Sequence, residues 1–108
     1  MSENYPDMDS YETLNLIRNI SNGDRVKVYY QKGRFVSVKN VELSVYDVSQ
    51  GRNPLLSCWE SNIEDTENAH PSKHYHMEYS EIESIYKLRN LSGLSEVDGS
   101  KIVAIEYI

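Results

Sequence analysis

The stretch RVKVYYQKGRFVSVKNVELSVY, residues 25–46, decides the fold. Val26, Val28 and Tyr30 alternate with Arg25, Lys27, Tyr29 and Gln31, so its first seven residues read as a strand with one apolar face. Lys32-Gly33 makes a tight turn, and Phe35 to Tyr46 resumes the alternation. The phase then slips, with Val36 and Val38 at even positions and Val41, Leu43 and Val45 at odd ones. A straight strand would send half of these side chains into water. The pattern therefore predicts a bulge at Lys39-Asn40 that inserts one residue and bends the strand. A long, bent second strand is what a small closed barrel needs.

Working toward the N-terminus, the period changes. Tyr11, Leu14, Ile17 and Ile20 recur at intervals of three, with Leu16 widening the stripe, and Asp9 with Glu12 forms a capping box. This predicts one amphipathic helix ended by Ser21-Asn22-Gly23. Residues 1–8 lack periodicity and contain Pro6, so they read as a flexible lead-in to a single domain spanning residues 9–108.

Toward the C-terminus, residues 49–54 read as a turn and Leu55 to Glu60 as a third strand. Ser61 to Lys73 is polar, acidic and interrupted by Pro71, the pattern of an exposed loop. His74 to Tyr79 alternates as a fourth strand. Ile82 and Ile85, three apart, suggest a short helical turn that feeds a brief strand through Leu88. Arg89 to Ser100 reads as a second loop, and Lys101 to Ile108 as a terminal strand apolar on both faces.

The fold class that follows is mainly β: a small five-stranded barrel with one N-terminal α-helix. That order of elements resembles the SH3-like barrels, and among them the Sm-like proteins. The resemblance rests on Asn40 within Lys39-Asn40-Val41-Glu42-Leu43 and on Arg89 within Leu88-Arg89-Asn90. It implies loops in which an Asn and an Arg hold a uridine base, and subunits that join by strand addition. In this sequence Asn40 and Arg89 take those places.

The 108 residues carry a formal charge of -6, which argues against wholesale binding to polyphosphate or anionic lipid. That charge is unevenly spread. Residues 18–41 hold six cations against Asp24 alone, whereas residues 42–85 hold Arg52 and Lys73 against nine carboxylates. A single cysteine, Cys58, makes neither an internal disulfide nor a cysteine-based zinc site, and the expected compartment is a reducing cytoplasm. No segment has the apolar length of a membrane span or the apolar core of a secretion signal.

Arg25, Lys27, Lys32, Arg34 and Lys39, with Tyr29 projecting among them, form the candidate contact surface. Cations there could meet phosphates while a ring stacks on a base, or they could meet an acidic protein. The bland alternative is a solvated hairpin whose charges discourage edge-to-edge pairing. His74, His76 and Glu78 share one face of a strand, with His70 upstream, and are candidate metal ligands or members of a metal-assisted site. The bland reading is a surface strand. Cys58 beside Trp59 reads as a buried small hydrophobe; a catalytic role would require His74 or His76 as its base. Glu60, Glu64, Asp65 and Glu67 lack the spacing of a calcium loop. No phosphate loop, dinucleotide fingerprint or hydrolase motif is present, so no cofactor is expected. Nine tyrosines against one Phe and one Trp suit half-wet interfaces. The function expected from these features is a non-catalytic interaction or regulatory module that binds a protein partner or itself, with Sm-like nucleic-acid binding as the first alternative and a metal-assisted enzyme using His74, His76 and Glu78 as the second.

Overall fold

The computed structural model describes residues 5–60, 74–91 and 97–108. They form one helix, α1 (Ser10–Arg18), and six strands: β1 (Arg25–Gln31), β2 (Lys39–Ser49), β3 (Leu55–Glu60), β4 (His74–Ser80), β5 (Ile85–Asn90) and β6 (Ser100–Tyr107). Each strand pairs antiparallel with the next, and β1 pairs with β6, so the sheet closes into a barrel.

The barrel has six strands where the sequence pattern suggested five. Ile85–Asn90 is a full strand that pairs with β4 from Tyr75↔Asn90 to Ser80↔Ile85. The apparent helical spacing of Ile82 and Ile85 misleads, because Ser84 adopts a φ of 56° and turns the chain sharply, leaving Ile82 96% exposed and Ile85 buried.

The bend also arises elsewhere. The β1–β2 register runs unbroken from Arg25↔Ser44 to Tyr30↔Lys39, so no bulge occurs at Lys39-Asn40. The phase conflict is resolved by exclusion: β2 starts at Lys39, and Phe35 and Val36 stay outside it, 97% and 47% exposed. The bulge in β2 falls where pairing with β3 passes from Val45↔Cys58 to Asp47↔Ser57, with Tyr46 as the extra residue. Val41, Leu43 and Val45 point inward before it, and Val48 packs against the core after it. A second shift skips Val103 where Tyr29↔Ala104 gives way to Tyr30↔Ile102. These two irregularities curl the sheet.

Leu43, Leu56, Met77, Leu88 and Ile105 fill the interior at 0–1% exposure. Each such side chain contributes about 1.5–3 kcal/mol through burial. The helix completes the core. Asp9 caps it, its carboxylate accepting from the Glu12 amide at 2.8 Å, and Thr13, Ile17 and Ile20 are buried beneath it. It packs against β5 and β6 where their ladder is thinnest, with register pairs only at Lys87↔Lys101 and Leu88↔Ser100. Past those rungs, Ile85, Tyr86, Ile102 and Val103 line a hollow of about 310 Å³ together with Met8, Thr13 and Leu14. The helix thus occupies the corner where the sheet parts. Residues 5–8 lie against the barrel: the Tyr5 ring sits 5.7 Å from that of Tyr29, and Met8 packs on the core. Among the described residues no helix is long and apolar enough to cross a membrane.

Candidate functional site

Three of the expected cations gather at the β1–β2 hairpin, and the others do not. Lys32, Arg34 and Lys39 are exposed around the hairpin tip. Gly33 takes a φ of 79°, which a residue with a Cβ adopts only with strain, and the Gln31 side-chain amide donates to the Val36 carbonyl at 2.5 Å. This brace holds Arg34 and Phe35 outward. An apolar hollow of about 180 Å³ adjoins the tip, lined by Tyr30, Lys32, Val36, Ser37 and Lys39.

Arg25 lies at the far end of β1, six residues or roughly 20 Å from the tip. Lys27 faces outward but is engaged: its ammonium sits 5.6 Å from the centre of the Tyr29 ring, and its register partners are Glu42 and Glu106. Tyr29 does not project as expected. It is 5% exposed, covered by Tyr5, and its hydroxyl donates to Glu106.

Asn40 is exposed on β2 opposite Tyr29, while Arg89 lies on β5, three strands away in either direction round the cylinder. Arg89 is held by Glu78 at 3.3 Å and Asp98 at 3.4 Å, and these carboxylates raise its pKa further. The structure does not bring Asn40 and Arg89 together.

A second cluster forms on the outer surface of β2, β3 and β4. Cross-strand pairing sets Ser44 opposite Trp59 and Trp59 opposite His74, while the bulge turns Tyr46 onto the same surface. Trp59 lies 5.1 Å from Tyr46, stacked, and 4.4 Å from His74. The Tyr46 hydroxyl is hydrogen-bonded to His74 Nε2. The His76 ring meets His74 edge-on at 5.7 Å, and His76 Nδ1 lies 3.5 Å from Glu78. Burial, then the neighbouring His76, lowers the His74 pKa, and burial raises that of Tyr46. Among the described residues no three His, Cys, Asp or Glu side chains are grouped to hold a metal ion. His70 and the acidic positions Glu64, Asp65 and Glu67 lie outside the described residues, as does the rest of the segment 61–73.

Cys58 faces the interior, fully buried, and burial pushes its thiol up to about 12. His74 and His76 flank Tyr75 on the opposite face of the sheet, so neither can serve it as a base. Glu60 ends β3 near the buried phenol of Tyr75, whose pKa is raised by burial first and by the Glu60 charge next.

The sequence singled out the cations but not Phe35, which stands out only once the strand is seen to begin after it. Trp59 and Tyr46 were likewise legible as large residues but not as neighbours, because their stacking depends on the bulge. Comparison with known proteins finds no matching family model, no matching curated protein and no matching solved structure.

Proposed function

We propose that the protein is a non-catalytic interaction module that docks an acidic protein partner on its hairpin end, with Phe35 as apolar anchor and Lys32, Arg34 and Lys39 as the surrounding cations. One observation carries this reading: a phenylalanine at 97% exposure, on a braced turn, amid cations. Water exacts a cost for such a ring, and a partner that covers it recovers its transfer energy. Aromatic anchors ringed by polar residues are the usual centre of a protein interface. The barrel is a rigid frame for that loop.

Sm-like nucleic-acid binding shares the cations but lacks support from Asn40 and Arg89, which stand apart. The test is capture of partners from the native host with wild-type protein, Phe35→Ser, and Lys32→Glu with Arg34→Glu. Both variants should fold as the wild type and lose the same partner, with affinity falling roughly 30-fold or more for the loss of an anchor. A partner retained by both variants overturns the surface. Retention of single-stranded RNA that falls steeply with salt and is lost in the charge reversal replaces the protein partner with nucleic acid.

A further inference from the structure

Beside the hairpin, the outer wall formed by β5, β6 and β1 carries a pairing that sheet energetics disfavours. Lys87 and Lys101 are direct register partners. Their neighbours Leu88 and Ile102 are buried, so both lysines point outward. Like charges directly opposite on adjacent strands destabilise a sheet. Lys101 is also the register partner of Gln31. Gln31, Arg34, Lys87, Lys101 and Glu83 then line one hollow of about 360 Å³.

Three cations in this hollow face one carboxylate. Glu83 Oε2 lies 2.5 Å from Lys87 Nζ, while Arg34 and Lys101 make no ion pair among the described residues. The side chains lining the hollow therefore carry a net charge of about two, the complement of a dianion. Arg34 offers a planar fork to two oxygens of one group, and Lys101 offers a point charge. The hollow is open to solvent on one side, so a phosphorylated side chain can enter it with part of its hydration.

We propose that this hollow binds a phosphate-monoester dianion, carried by a phosphorylated side chain of the partner that docks on Phe35. The source of the phosphate rests on the docking reading above; the hollow's affinity for the dianion does not. A phosphorylated side chain carries nearly two charges and three acceptor oxygens at neutral pH, whereas a carboxylate carries one charge and two. A protein source suits the site because Arg34 borders Phe35. A single dianion next to an apolar anchor also avoids the repulsion that the overall charge of -6 imposes on a polyanion.

The experiment is a titration of the full chain, followed by backbone amide resonances, with O-phosphoserine, inorganic phosphate and, as the carboxylate control, N-acetylglutamate amide. Saturable shifts are expected at Arg34, Lys101 and the bordering glycines Gly33 and Gly99 for both phosphates, with at least tenfold weaker response to the glutamate derivative. Arg34→Met and Lys101→Met, both at exposed positions, should each weaken phosphoserine binding at least tenfold with the fold unchanged. Glu83→Gln should tighten it several-fold, because Lys87 is released. Equal response to the carboxylate, shifts centred elsewhere, or indifference to both methionine variants overturns the site. A 5′-phosphorylated oligonucleotide that binds more tightly than a phosphoserine peptide overturns the protein source. Should phosphate fail while Phe35→Ser still releases a partner, the docking reading stands without the hollow. Should phosphate bind while Phe35→Ser releases nothing, the hollow stands alone.

Discussion

The Tyr29 hydroxyl donates to Glu106 Oε1 at 2.5 Å, spanning the β1–β6 ladder that closes the barrel. Lys27 lies over the same ring, and Tyr5 covers it. The bond to Glu106, then burial, pushes the phenol up to about 12. Removing the hydroxyl in Tyr29→Phe should cost about 1–2 kcal/mol, as expected for a partly buried bond to a charged acceptor. The folded-state pKa lies above the unfolded value of 10, so the fold favours the protonated phenol. Its contribution is present in full below pH 10 and is lost as pH rises toward 12. Chemical denaturation at pH 8 and again above pH 11 should show the gap between wild type and Tyr29→Phe narrowing; a gap independent of pH contradicts the assignment.

Ile17, not Tyr11, should hold the helix to the barrel. Ile17 is fully buried and Tyr11 is 78% exposed, although both fall on the apolar stripe read from the sequence. Ile17→Ala should cost about 2–4 kcal/mol through lost burial and the cavity left behind. Tyr11→Ala should shift stability by less than about 0.5 kcal/mol. Denaturant midpoints decide between them.

This helix shows what was legible and what was not. Its cap and period are local, so Asp9, Glu12 and Ile17 could be read directly. The rotation that exposes Tyr11 and buries Thr13 depends on the parting of β5 from β6, which no local pattern encodes. The same division holds for the sheet. Local patterning marked the strand segments but suggested a barrel of five, and the phase slip between Val38 and Val41 had two physical solutions, a bulge or a late strand start. The second prevails because hairpin pairing ends at Tyr30↔Lys39. At the candidate site the charges of Lys32, Arg34 and Lys39 were visible. The pairing of Lys87 with Lys101 was not, since it joins residues fourteen apart through a ladder of two rungs.

Ser100 should be a position where a smaller, apolar side chain improves the protein. It is fully buried, and its hydroxyl has no hydrogen-bond partner among the described residues. A buried hydroxyl without a partner keeps its desolvation cost, about 1–3 kcal/mol. Ser100→Ala removes the group with a minimal change of volume, and should raise stability by about 1 kcal/mol. A lower thermal midpoint in Ser100→Ala would show that the hydroxyl is satisfied in solution.

His74 should make the protein less stable in mild acid, and Trp59 should report it. The imidazole is enclosed by Tyr46 of β2, Trp59 of β3 and His76 of β4; Glu78 pairs with His76, and Arg89 of β5 pairs with Glu78. Burial first, then His76, lowers its pKa below the ordinary 6.5. The fold therefore favours the neutral ring, while the unfolded chain takes up a proton as pH falls through 6.5. The contribution of the neutral ring is complete above pH 6.5 and declines below it until the folded protein also protonates. His74→Gln, which cannot titrate, should reduce this acid sensitivity measured by denaturation between pH 7.5 and 5. Because Trp59 is the only tryptophan and its ring lies 4.4 Å from His74, protonation should quench its fluorescence with a midpoint below 6.5. A midpoint at or above 6.5, or a transition unchanged in His74→Gln, would place the titrating group elsewhere.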